Sequence, residues 1–358
     1  MSGSIQIAKL FKIPVLVHWS FLLLFVFVVY EGSSNNFSVV DTLWLGGFML
    51  AIFTCVIMHE FGHALTARRY GVETRDIILL PIGGVARLNK LPEKPLHEFL
   101  VAVAGPAVNI AIALLLTPTV FLPSIGLELS PNGAINATNF IPILIATNVF
   151  LAVFNLIPAF PMDGGRILRS LLAMRLGRVK ATRIASILGQ ILAVVFVLAS
   201  IFILSSPILA FIGVFVFMNA WGEYKSVRLN ALWDNTKLDS LMKTRFTRLH
   251  PHDTMHTAIS IVEMGLEKNF VVLNEGGRSI GILHHEFIQE AMKERDGNAP
   301  VAVYMSKHYE PMKTTDSLRF AASRIHACGY SIVPVEKEGE LVGVLDMPTI
   351  QTFLKTRK

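Results

Sequence analysis

Residues 184–222 read IASILGQILAVVFVLASIFILSSPILAFIGVFVFMNAWG, and this stretch between Arg183 and Glu223 includes no Asp, Glu, Lys or Arg. A helix needs about 20 mostly apolar residues to cross the hydrocarbon core of a bilayer. The Ser205-Ser206-Pro207 sequence interrupts the run, and proline cannot continue the helix that precedes it. We therefore predict two membrane-spanning helices here with almost no loop between them.

Four further uncharged runs lie closer to the N-terminus, between Lys12 and Glu31, Asp41 and Glu60, Glu98 and Glu128, and Glu128 and Asp163. Each run is long enough for a helix that crosses the bilayer. The chain has 53% hydrophobic and only 16% charged residues. These uncharged runs and this composition exclude one large soluble domain and the collagenous, disordered and disulfide-rich secreted classes of protein. Divided at prolines, glycines and polar clusters, the runs predict six spans, at about 14–31, 43–67, 98–122, 140–161, 184–204 and 207–223.

The positive charges predict the topology. Lys and Arg precede the first span and fill the loops between the second and third and between the fourth and fifth spans, whereas the loops at 32–42, 123–139 and 205–206 have none. Cytoplasmic loops are the ones enriched in Lys and Arg. We predict a multi-pass integral protein of a prokaryotic cell membrane with both termini cytoplasmic. The first span is predicted to be a retained helix, and the net charge of +6 is attributed to topology rather than to nucleic-acid binding.

The second predicted span carries His59-Glu60-Phe61-Gly62-His63, an HExxH motif. Residues i and i+4 share one helix face, so both imidazoles can meet one metal ion while Glu60 stands beside it. His59 precedes Arg68 by nine residues, which is roughly 13 Å of helix. A glutamate at that depth is costly unless it is paired or functional. The motif therefore predicts a zinc site, since hydrolytic zinc sites pair three protein ligands with a water whose proton a glutamate accepts.

Asp163 is the best candidate for a third ligand. It follows the fourth span in the sequence Asn155-Leu-Ile-Pro-Ala-Phe-Pro-Met-Asp163-Gly-Gly, on the same predicted side as the two histidines. The prolines and glycines break the helix, and broken helices are tolerated at membrane depth where they line a cavity. Asn155, one to two turns deeper, could hydrogen-bond a substrate backbone or a developing oxyanion.

The HExxH motif and the NxxPxxPxDGG motif that begins at Asn155 resemble the site-2 protease family of intramembrane zinc metalloproteases. Three further segments resemble landmarks of that family: His18-Trp19, Pro81-Ile82-Gly83-Gly84 and Ala104-Gly105-Pro106-Ala107-Val108-Asn109. The resemblance covers about residues 5–224. It implies one zinc ion per chain held by His59, His63 and Asp163, with Glu60 as the general base and Asn155 as a substrate contact.

The short apolar stretch IILLPIGGVA at 77–86 is too short to span the bilayer as a helix. It is therefore an interfacial or re-entrant element, or a buried strand. The family resemblance suggests that an exposed strand edge holds the substrate extended by β-augmentation, with Gly83 and Gly84 allowing close backbone approach. The alternative is a loop lying on the membrane surface.

The landmark in the third span also has two interpretations. Gly105 and Asn109 lie four residues apart on one helix face, which indicates either small-residue packing between helices or participation in the chemistry.

Two other functions could use the two histidines, Glu60 and Asp163. A metal transporter needs polar groups continuing across the bilayer, and the spans offer few: His18, Asn148 and Asn155. A membrane scaffold without catalytic activity is expected to have lost Glu60 or one of the three candidate metal ligands, and this sequence has all four residues.

Beyond Glu223 the charges recur every few residues, and the sequence repeats itself. Met242 matches Met305, and Asp253 matches Asp316 at the same offset. Each unit reads as helix, strand, turn, strand and helix, and two such units should pack as a pair. The repeats resemble a pair of cystathionine-β-synthase-type (CBS) modules. Where such modules often contact phosphate and ribose, the first repeat has His284 and Phe287, and the second has Asp346 and Thr349. Adenine-nucleotide binding therefore stands beside dimerisation or substrate gating as a role for the pair.

These observations predict a polytopic α-helical membrane protein of six transmembrane helices with a short membrane-associated β element, followed by a soluble α/β domain of paired CBS modules. The predicted boundaries are a metalloprotease domain at 1–224, a linker at 225–235 and a cytoplasmic tandem domain at 236–358, with repeats at about 236–295 and 301–356. The predicted activity is zinc-dependent cleavage within or near transmembrane segments of membrane proteins. The expected partners are single-pass substrates such as membrane-anchored regulators of transcription, the lipid bilayer, and a second copy of the chain through the CBS pair.

Overall fold

The computed structural model describes residues 3–81, 83–90, 92, 94–121 and 133–356 of the chain. The chain divides into two compact units, Met1–Val227 and Arg228–Lys358. The first unit carries the long apolar helices, and the second carries the two sequence repeats.

A four-stranded sheet begins the first unit. Its order is β1 (Ser4–Leu10), β2 (Ile13–His18), β3 (Thr74–Leu80) and β4 (Gly83–Leu88). The outer pairs are antiparallel, and β2 and β3 run parallel. Buried side chains from the two central strands pack against helix α2 (Val39–Arg69), in a cluster of Ile13, Val15, Ile77, Phe61 and Ala64. The sheet thus lies against the helix that carries the HExxH motif, with β4 at one edge.

The predicted first span at 14–31 is wrong in its N-terminal part. Residues 13–18 form β2, and helix α1 is Leu22–Ser34, which follows a short 3-10 turn. The strand alternates β-branched residues, and Ile13 and Val15 are each 1% exposed on the side facing the core. Branched side chains favour a pleated, half-buried surface. An uncharged run alone does not distinguish a buried strand from a membrane helix.

Among the described residues, four helical segments are long and apolar enough to cross a membrane: Val39–Arg69, Pro95–Phe121, Arg178–Leu204 and Pro207–Asn235. Two apolar helices are shorter, Trp19–Ser34 and Phe140–Asn155. The regular α-helices within these segments, besides α1 and α2, are α3 (Pro95–Leu116), α4 (Phe140–Leu156), α6 (Arg178–Ala199) and α7 (Pro207–Asn235). Large apolar side chains cover their outer faces, as a multi-pass integral membrane protein requires. The end of the predicted third span, Leu122, and most of the loop after it lie outside the described residues.

The predicted fourth span at 140–161 ends earlier than expected. Helix α4 stops at Leu156, and α5 (Asp163–Leu176) begins after six residues of irregular chain. A Cβ atom at Gly164 would lie 2.1 Å from the carbonyl oxygen of Ile157. Only glycine therefore allows α5 to start so close to the chain that precedes it. The break makes Asp163 the first residue of α5.

A buried charge cluster holds α5 in place. The side chain of Arg169, which is completely buried, forms ion pairs with Glu98 of α3 and with Glu223 of α7. Its guanidinium carbon also lies 4.9 Å from the ring centre of Phe160. A buried arginine needs such partners, and the cluster connects α5 to two other helices of the unit.

The predicted linker at 225–235 is helical, as the last part of α7 (Pro207–Asn235). Glu223 and Lys225 end the apolar run but not the helix. Charged residues of this kind are good helix formers, so the end of an uncharged run marks a change of environment rather than a helix terminus.

The second unit contains the same order of elements twice. In the first repeat β5 pairs parallel with β6, which pairs antiparallel with β7; in the second β8, β9 and β10 pair in the same way. The elements are β5 (Arg248–Leu249), α8 (Met255–Glu263), β6 (Phe270–Leu273), β7 (Ser279–Leu283), α9 (His285–Glu294), α10 (Val301–Tyr304), β8 (Met312–Lys313), α11 (Leu318–Cys328), β9 (Ile332–Lys337), β10 (Glu340–Asp346) and α12 (Met347–Thr356).

The segment just before the first strand of each repeat pairs with the other repeat. Lys243, which precedes β5, forms a two-way backbone bridge with Val344 of β10, and Ser306, which precedes β8, forms the same bridge with Ile282 of β7. Both bridges have hydrogen bonds of 2.8 and 2.9 Å. The repeats therefore complete each other's sheets, which explains why they pack as a pair.

Candidate metal centre

Helix α2 presents His59 and His63 one turn apart on the same face. Both are buried, at 7% and 5% exposed, and their Nε2 atoms lie 3.1 Å apart. This is the geometry that the i, i+4 spacing predicts for a helix.

Asp163 reaches the two histidines from the start of α5. Its Oδ2 atom lies 3.1 Å from His63 Nε2 and 3.2 Å from His59 Nε2, and its side chain is also buried. The short irregular segment after α4 delivers the carboxylate to this position. The structure therefore brings together the three residues that the sequence predicts as metal ligands, and they form a possible metal site.

The hydrogen bonds of the two imidazoles fit a metal ion. His63 Nδ1 donates to the carbonyl oxygen of Val101 (2.7 Å), and His59 Nδ1 donates to Oδ1 of Asn109 (2.6 Å). With hydrogen on Nδ1, each neutral ring directs a lone pair from Nε2 toward the carboxylate of Asp163. Tetrahedral zinc with bonds of about 2.0–2.1 Å separates its ligand atoms by roughly 3.3 Å. The observed separations of 3.1–3.2 Å match this spacing.

Gly105 of α3 forms a wall of the cluster. A Cβ atom at this position would lie 2.2 Å from His63 Nε2 and 2.7 Å from His59 Nε2. The site therefore depends on the missing side chain, because any larger residue would displace the ligand atoms.

Glu60 lies next to the cluster and contacts the edge strand. Its Oε2 atom accepts a hydrogen bond of 3.0 Å from the backbone N–H of Ala86 in β4. A Cβ atom at Gly84 would lie 2.9 Å from the Glu60 side chain and 3.0 Å from that of Val56. Gly84 thus allows β4 to approach α2 closely enough to hold this carboxylate.

Two other predicted site residues make no such contact in the described part of the chain. Asn155 is half-buried, and its Nδ2 donates to the carbonyl of Leu151 in its own helix (3.0 Å). Gly83 starts β4 with φ of +135°, which L side chains rarely adopt, and no atom lies within 4 Å of its Cβ position. The neighbouring Ile82 lies outside the described residues.

The sequence left the roles of Gly105 and Asn109 open between packing and chemistry. Both lie against the predicted ligands: a Cβ atom at Gly105 would meet the Nε2 atoms, and Asn109 is hydrogen-bonded to Nδ1 of His59. His18 does not: its Nδ1 lies 2.7 Å from Ser20 Oγ. An asparagine deep in an apolar helix is the sequence signal for such a role, since a polar group there needs a partner.

Comparison with known proteins gives consistent results. The sequence profile of Peptidase family M50 matches residues 47–129 and 124–199. The chain is 35% identical over 242 residues to the zinc metalloprotease MJ0392 of Methanocaldococcus jannaschii, which covers 68% of this chain and 67% of that protein. It is 36% identical over 200 residues to the putative zinc metalloprotease sll0528 of Synechocystis, covering 53% of this chain and 50% of that protein.

Among solved structures, the chain is similar to the site-2 protease from Methanocaldococcus jannaschii, with 36% identity, a TM-score of 0.48, and coverage of 62% of this chain and 95% of that one. It is also similar to the CBS domain pair of protein MJ0100, with 16% identity, a TM-score of 0.32, and coverage of 34% of this chain and 98% of that one.

Proposed function

Because this chain belongs to peptidase family M50 and is a site-2-type zinc metalloprotease, we propose that it cleaves transmembrane segments of other membrane proteins near the cytoplasmic side of the bilayer. The observation that carries this proposal is the buried cluster itself. Three ligand atoms converge within 3.2 Å, and two of them belong to a helix long and apolar enough to cross a membrane. A soluble peptidase has no reason to bury its ligands on such a helix.

His59, His63 and Asp163 are the residues that would hold one zinc ion. Bound zinc polarises a peptide carbonyl and makes water a better nucleophile near neutral pH. The three side chains supply two neutral nitrogens and one carboxylate oxygen, a donor set common to hydrolytic zinc sites. Buried packing on α2, α3 and α5 keeps these donors oriented and excludes bulk water.

Glu60 is proposed as the general base. It accepts a proton from the attacking water and then returns that proton to the nitrogen of the leaving amine. The hydrogen bond from Ala86 N–H fixes one carboxylate oxygen, Oε2, and the proton is proposed to bind the other oxygen, Oε1. The proton transfer therefore takes place beside β4.

Strand β4 is proposed to hold the substrate. A transmembrane helix hides its peptide bonds, so the scissile segment must be extended before it can be cleaved. β4 lies at the edge of its sheet, and an extended peptide can add to such an edge by backbone hydrogen bonds. Gly83 and Gly84 present no side chains there, and Asn155 is proposed to bind the substrate backbone from α4.

Six spans with both termini cytoplasmic are proposed for the chain in its prokaryotic membrane. The four long helices supply four spans, and the shorter apolar helices Trp19–Ser34 and Phe140–Asn155 would supply the remaining two. A 16-residue helix reaches about 24 Å, which is less than the hydrocarbon thickness of about 30 Å, so the bilayer or neighbouring helices must compensate. The positively charged loops support the orientation.

The CBS-like pair is proposed to regulate access or to mediate dimerisation. At the positions where CBS modules often contact nucleotide, Asp346 Oδ2 lies 2.7 Å from Lys243 Nζ, and His284 Nδ1 lies 2.5 Å from Ser331 Oγ. Groups already engaged within the chain are less available to phosphate and ribose, which favours gating or dimerisation over adenine-nucleotide binding. Single-pass proteins, such as membrane-anchored regulators of transcription, are the proposed substrates.

The test is a Glu60→Gln variant, purified and also expressed in native membranes. The variant should bind one zinc per chain, lose cleavage, and retain uncut membrane proteins that can be identified after capture. Asp41→Asn, at the other end of α2, is the matched control and should cleave normally. Cleavage by purified Glu60→Gln at the rate of the unmodified protein would refute the proposal.

A further inference from the structure

A chain of side-chain amides runs from His59 into the interior of the helical unit. Asn109 of α3 accepts from His59 Nδ1 through its Oδ1 and donates through Nδ2 to Oδ1 of Asn148 (2.9 Å). Asn148 of α4 in turn donates through Nδ2 to the carbonyl oxygen of Leu144 (2.9 Å). The two asparagines are 1% and 0% exposed. Three helices are thus linked by one continuous line of hydrogen bonds.

The line has only one favourable direction. The Leu144 carbonyl oxygen accepts hydrogen bonds and cannot donate, so Asn148 must direct its Nδ2 toward that carbonyl. Its Oδ1 then faces α3, where it requires a donor, and Asn109 must supply its own Nδ2. The remaining Oδ1 of Asn109 therefore faces His59. Reversing either amide would bring two oxygen atoms together at hydrogen-bond distance in an apolar interior, where unpaired polar groups are costly.

The direction of the line determines the tautomer of His59. An acceptor opposite Nδ1 requires the ring to carry its hydrogen on Nδ1, which leaves the lone pair on Nε2. With Asn109 reversed, its NH2 group would face Nδ1, and the hydrogen of the neutral ring would move to Nε2. That hydrogen would then point at His63 Nε2 and Asp163 Oδ2, 3.1 and 3.2 Å away, where a metal ion needs the lone pair.

The second histidine does not need such a line. His63 Nδ1 donates directly to the backbone carbonyl of Val101, which cannot reverse. His59 has only a side-chain amide as its neighbour, and an amide can rotate unless it is fixed from behind. The two rings therefore reach the same tautomer by different routes, one directly and one through two asparagines.

We propose that Asn148 and Asn109 are positioning residues that hold His59 in its metal-binding tautomer, with Asn148 acting only through Asn109. This proposal rests on the zinc site of the proposed function and adds the residues that prepare one ligand. Partners of this kind typically change metal affinity by about 10–100-fold when they are removed.

The test measures zinc loss from the purified full-length protein to a coloured chelator, for Asn109→Leu, Asn148→Leu and the double variant. Asn109→Leu should accelerate zinc loss about 10–100-fold. Asn148→Leu should accelerate it less, because the freed amide of Asn109 populates both orientations. In the Asn109→Leu background Asn148→Leu should have no further effect, since a residue that acts only through another loses its influence when that residue is absent.

Two variants separate positioning from structural damage. Asn109→Asp keeps an acceptor opposite His59 but places a second oxygen against Oδ1 of Asn148, so it should lose zinc more slowly than Asn109→Leu and faster than the unmodified chain. Thr147→Val is the control for α4, because Thr147 adjoins Asn148 and also bonds the carbonyl four residues earlier. Equal acceleration by Asn148→Leu in both backgrounds, or zinc loss from Asn109→Asp as fast as from Asn109→Leu, would overturn the proposal. If Asn109→Leu does not fold, the comparison of Asn148→Leu with the control Thr147→Val tests the proposal. Zinc loss from Asn148→Leu at the rate of the control would refute the role of Asn148. An unmodified chain that binds no zinc would instead refute the proposed function.

Discussion

Replacement of Gly105 by alanine tests how tightly α3 encloses the metal ligands. The added Cβ would lie 2.2 Å from His63 Nε2 and 2.7 Å from His59 Nε2. Ordinary non-bonded contacts between heavy atoms are about 3.5 Å or longer. The two rings would therefore have to retreat by about 1.3 and 0.8 Å, or α3 would have to move by a similar amount.

Such a displacement is large for a metal site. Zinc–ligand distances are expected within about 0.2 Å of their standard values, so neither ring could stay in place. We expect Gly105→Ala to lose at least about 100-fold in zinc affinity, beyond the usual effect of altering a neighbouring partner. Zinc content would then fall from one per chain to near zero, and cleavage would be lost with it.

The assay is metal analysis of the purified protein after dialysis against a chelator, together with thermal unfolding. Gly47→Ala is the matched control on α2, because in the described part of the chain its Cβ position meets nothing within 4 Å beyond the adjacent turns of its own helix backbone. It should keep its zinc, and the helix should gain up to about 1 kcal/mol. A Gly105→Ala protein that retains zinc as well as Gly47→Ala would refute this account of the site.

Three further changes test other parts of the structure. Ala86→Pro removes the N–H that holds the proposed general base, so zinc content should be unchanged while the cleavage rate falls; an unchanged rate would argue against the contact. Arg169→Met leaves the Glu98 carboxylate buried without its main partner, and we expect a loss of about 3–5 kcal/mol in stability, seen as a lower unfolding temperature. Burial raises the pKa of Asp346, but its hydrogen bonds with Lys243 and Thr349 and the charge of Lys243 together outweigh this and bring the pKa below its usual value. The folded chain therefore gains stability above the ordinary aspartate pKa of about 4, and this gain disappears as acid protonates the group. Lys243→Met should lower the stability at pH 7 by less than about 1 kcal/mol, and the difference in unfolding temperature should vanish in strong acid.

The three candidate ligands, which the structure brings together as a possible metal site, could be identified from the sequence because charge is rare in the apolar runs. The i, i+4 spacing alone places His59 and His63 on one helix face, and the prolines and glycines around Asp163 predict a helix break there. The strand at 13–18 was not predictable in the same way. Its residues are as apolar as those of a membrane helix, and only pairing with a strand far along the chain, at 74–80, distinguishes it.

The neutral residues of the site were harder to recognise than the charged ones. Glycine in a membrane helix often serves packing, and asparagine there indicates a hydrogen bond to another helix without showing to which group, so neither Gly105 nor Asn109 points to a metal site on its own. Their roles depend on which atoms lie opposite, and these belong to α2, a different helix. A sequence therefore identifies the atoms that bind metal more readily than the atoms that orient them.

Each of the three polar side chains of the HExxH motif has a different hydrogen-bond partner. His59 is held by a side chain of α3, His63 by a backbone carbonyl of the same helix, and Glu60 by a backbone N–H of β4. In the apolar interior each of these groups would be costly to leave unpaired. The four-stranded sheet therefore supports the candidate site, because it places against α2 the strand whose N–H holds Glu60. Under the proposed function, a substrate strand that pairs with β4 would then form its hydrogen bonds immediately beside the proposed general base.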